Sequence, residues 1–194
     1  MTNPAITIEA VQQRFGSCLL RLLACELLLK SVVAHTDITA TLEHPQEALA
    51  AKMASVHGQT MGQVVGMFTK GTLVQADTIG IPSTPLDDSR AASRIKYQIE
   101  LPSEQYDALH STLKELIDLR NELVHHFLQR FNMRSVEGRT AASTYLEECS
   151  QIIDARHLTL IGFNKVLELS RAKLASFVDS QEFEDAILKG NLPS

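Results

Sequence analysis

The sequence predicts an all-α protein, an up-and-down bundle of four to five helices interrupted by one polar loop or short β insertion. Apolar residues recur at three- and four-residue intervals over most of the chain. Glycine, proline, serine and aspartate gather in a single internal stretch, 71–102. Strict alternation of apolar and polar residues marks a short run, Ile95 to Leu101.

The first helix is expected from about Thr7 to Ala34, with Val11, Phe15, Cys18, Leu22, Cys25, Leu29 and Val32 on its inner face. A second helical region runs from about Pro45 to Thr69, with a break near Gly58 or Gly62. Pro82 and Pro85 then forbid a continuous helix. A compact domain seldom tolerates some thirty structureless residues, so 71–102 is read as a loop or a small insertion with its own structure. The Ile95–Leu101 alternation predicts a strand, with Leu73-Val74 or Ile79-Gly80-Ile81 as its partner. Ser103 is the expected N-cap of a helix reaching about Phe131. A last helix is expected from near Val136 to Val178, with Leu146, Cys149, Ile153, Leu160, Phe163, Leu167, Leu174 and Phe177 inward and Gly162 as a place to bend. Residues 1–194 are read as one domain.

Composition narrows the function classes. No apolar run approaches the ~20 residues that span a bilayer, and the first residues lack the pattern of a signal peptide. The cytoplasm is the expected compartment. Cys18, Cys25 and Cys149 lack the close spacing of a zinc site and read as reduced core thiols. A formal charge of -5 argues against a binder held to nucleic acid mainly by phosphate neutralisation. Gly-x-Ser-x-Gly, P-loop and dinucleotide fingerprints are absent. The balance reverses locally, however. Arg120, Arg130, Arg134 and Arg139 stand against Glu122 and Glu137, with two histidines between them.

On the helix from Ser103, a periodicity of 100° per residue places Leu109, Leu113, Leu116, Ile117, Leu123, Val124, Phe127 and Phe131 in one apolar stripe, with Arg120 in its middle. Burying an unpaired guanidinium costs several kcal/mol. Arg120 therefore meets either an acid of a neighbouring helix, Glu26 or Glu147, or a polar cleft. Asn121 and His125 are four apart and share a face beside it. His126, four residues after Glu122, is suited to an exposed ion pair. Together these types fit RNA cleavage by transesterification. Histidine takes a proton from the 2′-hydroxyl or returns one to the 5′-oxygen, and the arginine fork binds the non-bridging oxygens as charge builds. Asparagine orients the imidazole or the phosphate.

The segment Arg120-Asn121-Glu122-Leu123-Val124-His125 resembles the active-site motif of the HEPN superfamily of ribonucleases. These are helical bundles with Arg-x4-6-His on a late helix, commonly with Asn, Asp or His after the arginine. The resemblance implies that Arg120, Asn121 and His125 are catalytic and that two protomers form a shared cleft. It also implies metal-independent cleavage to a 2′,3′-cyclic phosphate, with no cofactor. Arg130, Arg134 and His126 are candidate substrate contacts. Toxin or phage-defence roles follow, with RNA as substrate and an antitoxin as a further partner. The sequence departs from the toxins paired with a nucleotidyltransferase antitoxin. Their modified tyrosine stands two places after the histidine, where this chain has Phe127. Modification of a hydroxyl there is excluded.

Two other readings compete. One is a non-catalytic helical interaction or regulatory protein, in which Arg120 pairs internally and His125 is buried. The other is a metal-binding bundle using His125 or His126 with His110, His157 or a cysteine. In the insertion, Arg90, Arg94, Lys96 and Tyr97 are either solvated or contacts to RNA or protein.

Overall fold

The computed structural model describes residues 5–41, 45–76, 92–182 and 185. Four helical rods form the bundle. The first is α1 (Ile8–Thr36). The second is broken into α2 (Pro45–His57) and α3 (Met61–Met67), followed by a π turn at Phe68–Thr72. The third comprises α4 (Ser103–Asn121), a π turn at Glu122–His126 and α5 (Phe127–Arg130). The fourth is α6 (Val136–Val178), 43 residues long.

The caps explain where these rods begin. Thr7 accepts the Ala10 amide at the head of α1, and Ser135 accepts the Gly138 amide at the head of α6. Thr60 and Gln63 form a reciprocal capping box that restarts the helix after Gly58. Pro102, rather than Ser103, occupies the N-cap position of α4, so Ser103 is already helical. The shift is one residue, within the ordinary ambiguity of helix ends.

The core is the seam of α1 and α6 closed by α3 and α4. Val11, Cys18, Leu22, Cys25, Leu29 and Val32 meet Leu146, Cys149, Ile153, Leu160 and Leu167, all buried. Leu113, Leu116 and Leu123 of the third rod and Val64 and Phe68 of the second complete the same buried cluster. The three cysteines are free and buried, and the Cys18 thiol donates to the Leu146 carbonyl at 3.4 Å. Ion pairs line the edge of the seam, Arg14 with Glu147 at 2.9 Å and Arg21 with Asp154 at 2.8 Å. Those contacts leave Glu147 facing Arg14. Glu26 faces Lys30 at 2.8 Å on its own helix.

The insertion adds two small sheets. Strand β1 (Asp37–Thr41) pairs antiparallel with β3 (Ala92–Lys96), and β2 (Leu73–Gln75) pairs parallel with β4 (Ile99–Leu101). The expected alternating strand is thus two strands separated at Tyr97-Gln98. Leu73-Val74 is the partner of the second, in the register Leu73 to Ile99. The alternative partner, 79–81, lies outside the described residues. Strand β1 follows α1 directly at Asp37. Tyr97 is half-buried against the core, where burial pushes its phenol up. Lys96 is exposed. Arg90 and the side chain of Arg94 lie outside the described residues.

Candidate active site

Arg120 sits at the last turn of α4, where the chain leaves α-helical hydrogen bonding. Leu109, Leu113, Leu116, Leu119, Leu123 and Phe127 are buried at three- and four-residue steps, so Leu119 rather than Arg120 occupies the core position between Leu116 and Leu123, and Arg120 stands at the edge of that stripe. It is half-buried. Among the described residues it makes no ion pair or hydrogen bond, and the two acids that the sequence offers it, Glu147 and Glu26, pair instead with Arg14 and Lys30. A half-buried guanidinium at the edge of the core therefore stands without an ion-pair partner among the described residues.

Asn121 is half-buried, and His125 and His126 are exposed with ring centroids 6.3 Å apart. All three belong to the π turn or its entry. Such turns insert i→i+5 bonding into an α-helix and recur at functional sites. In an unbroken α-helix, positions five apart diverge by about 140°. The widened turn draws positions five apart nearer to alignment, and Arg120 and His125 stand five apart across its start. His126 leaves the turn with φ -121 and ψ -15, away from regular helix. Val124 departs from the expected stripe. It is 47% exposed, and Leu128, one turn later, is 77% exposed.

Behind the π turn an aromatic stack fixes the backbone. Phe127 is buried, 4.7 Å from Phe15 and 5.1 Å from Phe131, and Phe131 lies 5.4 Å from Tyr145 of α6. Phe127 thus faces α1 and the core. Burial pushes the Tyr145 phenol up, with the neighbouring Cys149 adding to the effect.

The four arginines of this region divide. Arg130 pairs with Glu122 at 3.1 Å, so Glu122 does not serve His126 as the sequence leads one to expect. Arg139 donates to the carbonyls of Ile6, Met133 and Arg134 at 2.7, 3.2 and 3.2 Å, binding the chain start and the α5–α6 loop to α6. Arg134 is exposed, and its side chain has no partner among the described residues. Arg120 and Arg134 are accordingly the cations left for an anionic ligand, joined by His125 and His126. His110 and His157 join neither histidine in a cluster of three metal-ligating side chains among the described residues. Among those residues, too, no helix is long and apolar enough to cross a membrane.

No protein-family model, characterised protein or solved structure matches this chain.

Proposed function

We propose that this chain is a metal-independent endoribonuclease of HEPN type, cleaving RNA by 2′-hydroxyl transesterification in a cleft between two copies, in a toxin or phage-defence setting. The observation that carries this reading is the half-buried Arg120, at the edge of the apolar stripe and without an anionic partner among the described residues, beside an exposed imidazole on a π turn. In the proposed reaction His125 of one copy takes the 2′-hydroxyl proton. The 2′-oxygen attacks phosphorus, a new P–O bond forms, and the bond to the 5′-oxygen breaks. The leaving 5′-oxygen takes a proton from the second imidazole, giving a 2′,3′-cyclic phosphate and a 5′-hydroxyl. Arg120 binds the non-bridging oxygens, where a fork of fixed donors is worth most as charge accumulates. Asn121 orients the imidazole or the phosphate. Exposed Val124 and Leu128 beside the motif supply apolar area for the second copy.

One observation favours a second reading, a non-catalytic helical interaction protein. Leu20, Leu23 and Leu27 form another exposed apolar stripe on the outer face of α1. A protein partner such as an antitoxin would cover it.

The test incubates purified protein with mixed RNA in EDTA beside Arg120→Ala and His125→Ala variants. The nuclease reading expects cyclic-phosphate ends from the wild type and a loss of at least about a hundredfold in each variant. Equal inactivity of all three, with a monomer in light scattering, supports the interaction protein instead.

A further inference from the structure

An open cleft of about 630 Å³ lies at the far end of α1 from the Arg120 motif. Phe15, packed on α5, and Val33, on the cleft wall, are roughly 27 Å apart along the α1 axis at 1.5 Å per residue. Lys52 of α2 and Lys70 of the first π turn both line this cleft. Neither has an ion-pair or hydrogen-bond partner among the described residues. Lys30, close by on α1, shows what a satisfied lysine looks like in this fold, since it meets Glu26 at 2.8 Å and the His57 carbonyl at 2.9 Å. Asp37 also lines the cleft, and it has a partner of its own.

The remaining lining adds direction. The capping box fixes the Gln63 carboxamide, whose oxygen receives the Thr60 amide at 2.8 Å and the Thr60 hydroxyl at 3.0 Å. Gln63 lines the cleft, and its NH2 group is left to donate elsewhere. Val33 and Met67 provide an apolar side. Two lysines against the one carboxylate of Asp37 give this concavity a local positive balance in a protein with net charge -5, which favours an anion there. Lysine binds phosphate as a point charge, and the volume falls within the usual range for small-ligand sites, about 300–1,000 Å³.

We infer that this cleft binds a small molecule carrying a phosphate or diphosphate group on an apolar body, with Lys52 and Lys70 holding the anion. The inference does not depend on ribonuclease activity, because it uses none of the residues of the Arg120 motif.

Titrations followed by amide NMR of the full chain test it, with inorganic phosphate, pyrophosphate and phenyl phosphate as probes. Saturable shifts are expected at Lys52, Gln63 and 66–72, with phenyl phosphate binding more tightly than inorganic phosphate. The Lys52→Ala/Lys70→Ala variant is expected to bind pyrophosphate at least about tenfold more weakly. A Lys165→Ala/Lys173→Ala control on α6 keeps wild-type affinity. Shifts spread over exposed lysines without saturation at about 10 mM would overturn the inference, as would unchanged affinity in the first variant. A short RNA lacking terminal phosphate that saturates the same amides at lower concentration than pyrophosphate would replace the small molecule with a nucleic acid. The wild-type shift map reads the site even where a variant unfolds.

Discussion

The guanidinium of Arg130 lies 4.4 Å from the centre of the Tyr145 ring while it donates to Glu122 at 3.1 Å. Glu122 opens the π turn and Arg130 closes α5, so one side chain ties both ends of the motif segment to α6. Arg130→Ala is therefore expected to lower stability in the absence of any RNA. The stacking contact contributes about 0.5–1 kcal/mol and the exposed ion pair about 0.2–1 kcal/mol. Urea unfolding should show a loss of about 1–2 kcal/mol. An unchanged midpoint would return Arg130 to the pool of free substrate contacts.

Gly138 reverses the usual helix rule. Alanine for glycine inside a helix ordinarily stabilises by about 1 kcal/mol. Here a methyl group would collide with the Asn132 backbone carbonyl, on the loop that leads into α6. Gly138→Ala is expected to destabilise by about 1–3 kcal/mol and to loosen the Ser135 cap. Thermal unfolding measures the sign directly.

Phe127 answers a question raised by the sequence alone. Its ring is buried between Phe15 and Phe131. Phe127→Ala should cost about 3–5 kcal/mol. Phe127→Tyr would place a hydroxyl among apolar rings, and is expected to cost about 1–3 kcal/mol without creating an accessible acceptor for modification. Chemical unfolding of both variants checks the order.

Alkaline pH should weaken the fold through its thiols. Burial pushes Cys25 and Cys149 up to about 11 each, from an ordinary value of 9.0. The unfolded chain releases these protons first, so the native state binds more protons above pH 9. Their contribution is complete below about pH 9 and declines as pH rises towards 11. Urea midpoints at pH 8 and pH 10 should differ, and the decline should be shallower in Cys149→Ala.

Much of this architecture was legible because helical periodicity is a repeated, local signal. The periodicity predicts the last helix from near Val136 to Val178, and α6 spans those residues. The second helical region breaks at Gly58, where a capping box restarts it. Three features escaped. Strand β1 does carry a period-two signal, with Ile38 and Ala40 between Asp37, Thr39 and Thr41, but it follows α1 with no proline or glycine between, and its pairing with β3 joins residues more than fifty positions apart. Neither π turn leaves a mark on periodicity, because the apolar spacing through Leu116, Leu123 and Phe127 continues across the second one. At the site, Arg120 was legible as a charge in an apolar stripe. The fate of its neighbours was not. Arg130 and Arg139 carry the same formal charge in the sequence, yet one is stacked on a ring and the other tethers carbonyls. Such commitments depend on α6, which is distant in sequence and close in space.

Helix α6 is also much longer than its main neighbour. At 1.5 Å per residue it extends about 64 Å against about 43 Å for α1. Beyond Leu167 its described side chains are half-buried or exposed. The distal turns are accordingly the first to open without global unfolding, and their amide hydrogens should exchange with solvent deuterium well ahead of those around Leu146 and Ile153. That gradient makes one continuous helix behave as two units of different cooperativity, a long anchored part beside the Arg120 motif and a short fraying end remote from it.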